Sequence, residues 1–342
     1  MKYGSKWSQK RQGSIVTIIA AICCFFLISS QAQAQRYLGA ISGEVNDSTG
    51  ARVPGVRVTA VEASTRFTTA VVTGGEGMYT FPALQPGTYT ITIAGQSFRT
   101  ASRTGIVLTA GQTQQVDFSL TPGTANETIE VSTDTSLLDT GSANISTTLS
   151  TKEVTDLPNI GRNPFVMATL AAGVINTGSG GYFQGKSSQF TQPFSGVAVQ
   201  ITTDGNGGHN RLTLDGIPDD PAERFSGAGY TGFVPSPEAV EEVKVQTSIF
   251  DAQIGHGNGT VTNTVVRTGN NKLHGAAYYA FQNTYLNANT YERVPNQNAA
   301  TAPTRRNNDQ LAQTGFVLDG PVYIPKLYNG RDKTYFMVAY EF

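Results

Sequence analysis

From Arg36 to Leu120 apolar and polar positions alternate with a period of two. Ile41, Gly43 and Val45, then Val56, Val58 and Ala60, then Tyr79 and Phe81, Tyr89, Ile91 and Ile93, and Val116, Phe118 and Leu120 are each separated by Ser, Thr, Arg, Glu or other polar residues. Such alternation predicts strands with one buried face. Turn-forming residues fall between these runs at Asp47-Ser48-Thr49-Gly50, Pro54-Gly55, Gly74-Gly75-Glu76-Gly77 and Pro86-Gly87. About seven short strands in some 85 residues predict a small β-sandwich.

The pattern then changes. Residues 121–150 are rich in Thr, Ser, Asn and Gly and poor in aromatics, which reads as linker or extended chain. Within it, Glu127-Thr128-Ile129-Glu130-Val131-Ser132 is a short strand-competent peptide able to add itself to a sheet edge; an ordinary linker is the other reading. Thr151-Lys152-Glu153-Val154 before Leu157-Pro158 predicts a capped helical turn, and Asn163-Pro164 opens a second helix to Leu170, closed by Gly173. Leu212 and Leu214, Val243 and Val245, and the β-branched run Val261 to Val266 predict further strands.

Residues 270–342 hold 12 of the 31 Tyr and Phe, above their one-fifth share of the length, in the segments Ala276 to Leu286, Gly315 to Ile324 and Tyr335 to Phe342. Aromatic-rich strands of about ten residues between polar loops describe an outer-membrane barrel; one more soluble sheet is the alternative. Some seventy residues supply only three or four such strands, and a bilayer does not accept an open sheet edge. The expected reading is the start of a barrel that needs more chain to close, hence the N-terminal part of a longer protein.

The first 34 residues carry Lys2, Lys6, Lys10 and Arg11, a 14-residue apolar run from Ile15 to Ile28, and Ala32-Gln33-Ala34. That order predicts a cleaved secretory signal peptide, and the run is short of the roughly 20 residues that a spanning helix needs. The whole chain has 24 Lys+Arg against 25 Asp+Glu, and without the four leader cations the balance is 20 against 25, or −5. A nucleic-acid binder would show a basic surplus, so that class is excluded. Both cysteines, Cys23 and Cys24, leave with the leader, so no disulfide framework or thiolate chemistry is expected.

Candidate chemistry is sparse. His209, His256 and His274 are far apart, and no H-x-x-E pair or G-x-S-x-G elbow occurs, so neither a metal site nor a nucleophile–base pair is predicted. Gly180-Gly181-Tyr182-Phe183-Gln184-Gly185-Lys186-Ser187 fits the phosphate-loop expression. Phe190, Pro193 and Gly196 follow without the helix that such a loop requires, so a Gly-rich surface loop is the better reading. Asp215, Asp219, Asp220 and Glu223, with Asp204 and Asn206, offer oxygen atoms but not the spacing of a Ca²⁺ loop, and a solvated turn is expected. No cofactor and no catalytic residue is assigned.

Four resemblances sharpen this reading. Gly43, Val45, Asp47, Gly50, Pro54-Gly55, Val58, Gly77, Tyr79, Phe81, Leu84, Pro86-Gly87 and Tyr89 resemble a carboxypeptidase regulatory-like (transthyretin-like) domain, a non-catalytic seven-stranded sandwich classed with carbohydrate-binding-like folds. Glu127 to Ser132 resembles the TonB box of outer-membrane active transporters. Leu157-Pro158-Asn159-Ile160-Gly161-Arg162-Asn163, Leu214-Asp215-Gly216-Ile217, Glu238-Ala239-Val240-Glu241-Glu242-Val243-Lys244-Val245 and Gly257-Asn258-Gly259-Thr260-Val261 resemble the plug of TonB-dependent receptors of the Oar-like subfamily. His274-Gly275 and Gly320-Pro321 are similar to the start of that family's barrel. The chain departs from the family pattern at Arg267-Thr268-Gly269 and at Asp319-Gly320-Pro321, so an altered strand start is expected there.

The expected fold is therefore mainly β: signal peptide 1–34, seven-stranded sandwich 35–122, linker 123–149 with the candidate TonB box, an α+β plug 150–272, and the first strands of an incomplete barrel 273–342. The resemblance implies a periplasm-facing sandwich and plug in the outer membrane of a Gram-negative-type bacterium. Its implied partners are TonB with its inner-membrane complex, outer-membrane lipid and an extracellular substrate of open class. Tyr182, Phe183, Asp204, Asn206, Asp215 and Asp219 are the expected substrate-facing residues. The competing reading is an exported, non-catalytic module that binds carbohydrate or protein in adhesion.

Overall fold

The computed structural model describes residues 37–95, 97–123, 128–132, 145–158, 162–176, 197–199, 201–203, 210–219, 229–248, 260–286 and 310–342. The alternating N-terminal region forms two facing sheets. One holds β4 (Met78–Leu84) antiparallel to β1 (Gly39–Asp47), with β7 (Thr113–Gln115) and β8 (Phe118–Leu120) both parallel to β1 on its other side. The other runs β3 (Thr68–Val72), β2 (Arg57–Glu62), β5 (Gly87–Ala94), β6 (Thr100–Leu108) and, at its edge, β9 (Thr128–Ser132). β7 and β8 are two pieces of one strand interrupted at Val116 and Asp117, where the Val116 N–H still donates to the Ser42 carbonyl (2.8 Å) and the Asp117 carboxylate accepts from the Glu44 N–H (2.8 Å). Counted so, the sandwich proper has the seven strands that the pattern predicts.

Period two puts Ile41 and Val45, Val58 and Ala60, Tyr79 and Phe81, Tyr89, Ile91 and Ile93, and Ile106 and Leu108 between the sheets, all buried. Each large side chain so buried contributes about 1.5–3 kcal/mol. Gly43 breaks the apolar series because there is no room for more: an added Cβ would lie 2.0 Å from the Val116 carbonyl oxygen. Tyr79 fills that space from the next strand and its hydroxyl donates to the same carbonyl (2.6 Å).

The central region is a five-stranded sheet in the order β10 (Ile145–Ser150), β17 (Val240–Ser248), β18 (Val261–Val266), β14 (Arg211–Leu214) and β15 (Ile217–Pro218), antiparallel except for β14 with β18. It starts at Ile145, inside the stretch read as linker, because Ile145–Ser150 pairs along β17. The predicted turn is α1 (Thr151–Asp156), where Ser150 and Glu153 form a reciprocal capping box. Pro164–Leu170 is a 3₁₀ rather than an α-helix: Asn163 caps it through the Phe165 N–H (3.0 Å), and its bonds run i→i+3, as from the Val166 N–H to the Asn163 carbonyl (3.1 Å). Phe165, Met167, Leu149, Val154, Leu212, Val243 and Val245 meet in its core. Two small strand pairs complete the region, β11 (Val174–Asn176) with β13 (Ile201–Thr203) and β12 (Val197–Val199) with β16 (Gly229–Thr231).

The C-terminal strands β19 (His274–Asn283), β20 (Gln310–Pro321) and β23 (Tyr335–Glu341) form an antiparallel sheet, with a short hairpin of β21 (Tyr323–Ile324) and β22 (Tyr328–Asn329) between the last two. β19 and β20 have 10 and 12 residues, which meets the roughly 9–11 of a tilted membrane-spanning strand. On one face Tyr279, Phe281, Phe316, Leu318, Val338 and Tyr340 stand exposed, and on the other Gln313, Val317 and Asp319 are buried. An exposed face that is apolar and aromatic, against a covered face that carries Gln313 and Asp319, follows the pattern of outer-membrane barrels. Three long strands are too few to close one, as the length arithmetic predicts. Among the described residues no helix is long and apolar enough to cross a membrane; the leader run 15–28 lies outside them.

Candidate functional site

Five residues of the box-like segment are described. Thr128–Ser132 forms β9, parallel to β6 and in register from Thr100 with Thr128 to Thr104 with Ser132. A parallel pair needs a long crossover, and the chain between β6 and β9 supplies it by passing through β7 and β8 in the opposite sheet. The approach is fastened: the Arg99 N–H donates to the Thr121 carbonyl (3.0 Å) and the Gly123 N–H to that of Ser97 (3.2 Å). Glu127 lies outside the described residues.

The sandwich meets the central sheet at the turn that follows β6. Ala110 is buried there. Its N–H donates to Glu242 Oε1 (2.6 Å), and its carbonyl accepts from Lys244 Nζ (2.8 Å). Glu242 and Lys244 are adjacent on one face of β17, while Val243 and Val245 point from the opposite face into the central core. Burial pushes the Glu242 carboxyl up to about 7, against the pull of the Ala110 N–H and Lys244 toward ionisation. The turn itself is braced by Gln112, whose side-chain oxygen accepts from the Thr109 N–H and hydroxyl (both 3.0 Å).

The central sheet meets the barrel strands through charged and aromatic groups. Arg162 pairs with Glu238 and its guanidinium lies 4.3 Å from the centre of the Tyr278 ring; the Tyr278 hydroxyl donates to Glu341 (2.7 Å). Arg162 holds this position from a left-handed backbone conformation, φ 54°, which is uncommon for a long side chain. Arg267 reaches Asp319 (3.4 Å) and Glu241 (3.6 Å), and His274 lies 3.7 Å from Asp319. Asp319 is 1% exposed, so Arg267 stands against a carboxylate that has left water. The sandwich also touches the third barrel strand, where the Tyr335 hydroxyl donates to the Thr65 carbonyl (2.6 Å). Glu62 organises that loop by accepting from the N–H and hydroxyl groups of both Ser64 and Thr65. Burial would raise its carboxyl, but these four bonds outweigh burial and hold it below the ordinary value.

Of the expected substrate-facing residues, Tyr182, Phe183, Asp204 and Asn206 lie outside the described residues, as does the phosphate-loop-like stretch. Asp215 and Asp219 are described, and both carboxylates bond to backbone. Asp215, at φ 49°, accepts from the Val266 N–H (2.9 Å), and Asp219 accepts from the Phe233 N–H (3.0 Å). They fasten the β14–β15 turn and its neighbour. Among the described residues no group of three or more His, Cys, Asp or Glu is placed to hold a metal ion.

Sequence reasoning did not single out Arg162, Glu242 or Lys244 as contact residues. A signal for the last two was present: Glu242-Val243-Lys244-Val245 alternates charge and valine in a strand, so a charged face must find a partner whenever both faces are covered. Arg162 carried no such signal, because its partners come from residues 238 and 278.

Comparison with known proteins places these regions. Residues 40–121 match the carboxypeptidase regulatory-like domain, and residues 265–342 match an outer membrane beta barrel domain. Over 283 residues, 80% of this chain, the sequence is 27% identical to the TonB-dependent transporter Oar of Myxococcus xanthus. The chain spans 24% of that transporter's length. It thus resembles a TonB-dependent receptor over four-fifths of its length. Among solved structures, the TIE protein of Bacillus anthracis aligns over 25% of this chain and 17% of its own at 13% identity, with a TM-score of 0.22. A 3-chlorocatechol 1,2-dioxygenase from Rhodococcus opacus aligns over 25% of this chain and 61% of its own at 13% identity, with a TM-score of 0.19.

Proposed function

We propose that this chain is the N-terminal portion of a TonB-dependent outer-membrane receptor for active uptake, with no catalytic role. The observation that carries this is the C-terminal sheet, whose exposed face is apolar and aromatic and whose covered face meets the central sheet through Arg162 with Tyr278 and Arg267 with Asp319. A soluble module gains nothing from exposing Tyr279, Phe281, Phe316 and Tyr340 on one face; a lipid-facing strand set requires it. On this reading residues 150–272 are the plug inside the barrel, and residues 35–122 are a periplasmic accessory sandwich. Residues 127–132 are the TonB box, to which TonB adds a strand and through which it pulls. Substrate enters from outside, and the loops around 180–185 and 204–223 are the proposed substrate-facing surface.

Fractionation tests the location. An antibody against residues 36–120 should detect a heat-modifiable band in the outer membrane, whereas a periplasmic band that does not change mobility on heating overturns the reading in favour of an exported binding module. The box is tested separately: Ile129→Pro removes a ladder donor and bends the strand, so solubilised outer membranes should no longer retain a soluble C-terminal TonB fragment. Undiminished capture would sink the assignment of residues 127–132.

A further inference from the structure

The sandwich holds the very segment that the proposed function gives to TonB. We propose that the edge of β6 is a display site for Thr128–Ser132, presenting it as a ready-made edge strand to which the partner's strand is added as the sixth strand of the sheet. This inference rests on the TonB-box reading of residues 127–132.

Three observations carry it. First, β9 is paired with β6 over five residues in continuous register, so its backbone is already extended. Second, among the described residues the sheet order β3-β2-β5-β6-β9 ends at β9, which turns one row of backbone N–H and C=O groups toward β6 and the other away from it. An outward row of that kind is a template for a further strand from another chain. Third, the arrangement is anchored at both ends of β6. At its start, residues 97 and 99 hold the chain that leads into the box; just past its end, Ala110 is held by Glu242 and Lys244 of β17.

Display has a thermodynamic consequence. A free peptide must lose its backbone freedom on joining a sheet, whereas a strand already held extended has lost it before the partner arrives. Box and sandwich together should then bind TonB more tightly than the box alone. If TonB instead needed the edge that β9 turns to β6, holding the box on β6 would weaken binding in proportion to the fraction of time it is held.

The two cases are separated by fastening β9 to β6. Ser102 and Glu130 are register partners, and the chain's cysteines, Cys23 and Cys24, lie in the proposed leader. A Ser102→Cys, Glu130→Cys double variant, produced in the outer membrane, is oxidised and the link between the two introduced thiols is identified by peptide mapping. Affinity for the soluble C-terminal TonB fragment is then measured in the oxidised and reduced states, beside a synthetic peptide of residues 126–134. Display predicts an efficient link, binding by the oxidised protein at least equal to the reduced, and binding by the peptide at least tenfold weaker. Failure of the link to form overturns the placement, and a tenfold or greater loss on oxidation overturns display in favour of competition. Binding that persists in Ile129→Pro shows instead that residues 127–132 are not the box, which removes the premise while leaving a mapped link as proof of the β6 pairing.

Discussion

Glu242 and Lys244 close on the two ends of one residue: the carboxylate takes the N–H of Ala110 and the ammonium its carbonyl. Because all three are buried, a single peptide turn of the sandwich is held by one acidic and one basic side chain of the central sheet. Burial raises the Glu242 carboxyl from 4.5 to about 7, so between these values the folded protein holds the proton more tightly than the unfolded chain does. The resulting stability is full below the lower value and is lost as pH rises through the upper one, an effect on the order of 3 kcal/mol. Glu242→Gln keeps an acceptor for Ala110 without a charge to desolvate. It should flatten the pH dependence between about 5 and 7.5, read as hydrogen exchange at residues 109–112; an unchanged slope refutes the assignment.

The partner group gives the complementary prediction. Lys244→Met leaves the buried Ala110 carbonyl without its ammonium donor, a cost of about 1–3 kcal/mol. Exchange in the 109–112 turn should accelerate by about tenfold or more, while the sandwich strands β2 and β5 keep their protection. Loss of protection in both places would mean that the substitution unfolds the chain rather than opening this contact.

Asp215, one of the expected substrate-facing residues, holds the Val266 N–H through its carboxylate from a left-handed turn. Asn tolerates that conformation and retains an acceptor, so Asp215→Asn should assemble normally. Ala does neither, and Asp215→Ala should cost about 1–2 kcal/mol, read as faster proteolysis or exchange near Val266. Equal behaviour of the two variants would show that the turn does not depend on this side chain.

Gly315 is the point in β20 where Tyr278 crosses. An added Cβ would lie 2.4 Å from the Tyr278 hydroxyl and 2.5 Å from the Tyr340 carbonyl, and the latter cannot move without the strand. Gly315→Ala should therefore cost about 1–3 kcal/mol and lower the yield of heat-modifiable protein. Wild-type yield would count against the packing of Tyr278 across β20.

The exposed face of the barrel strands gives a prediction that depends on lipid alone. Phe316→Lys introduces charge on that face and should cost about 2–4 kcal/mol if the residue lies near mid-bilayer, seen as reduced assembly into membranes. A soluble sheet would accept the same change with little effect, so normal assembly would contradict the lipid-facing assignment.

Much of this was legible from local pattern. Alternation from Ile41 to Leu120 marks which side chains enter the sandwich core, because period two leaves a strand only one way to bury them. Asn163-Pro164 and Ser150 with Glu153 mark the helical starts, since caps act within three residues. The aromatic excess after residue 270 likewise follows from the composition that lipid imposes on a strand. The helix type at Pro164–Leu170 and the early start of the central sheet at Ile145 were not legible, because the first turns on a small difference between i→i+3 and i→i+4 bonding and the second on a partner strand a hundred residues away.

The sequence by itself determined the order of elements, the sandwich core and the likeness to a barrel start, all properties written within a few residues of one another. Only the tertiary structure decided which charges meet. Ala110 with Glu242 and Lys244, Arg162 with Glu238 and Tyr278, and the parallel seat of Thr128–Ser132 on β6 each join segments tens to more than a hundred residues apart. Such pairings depend on how whole sheets pack, and no local periodicity encodes that.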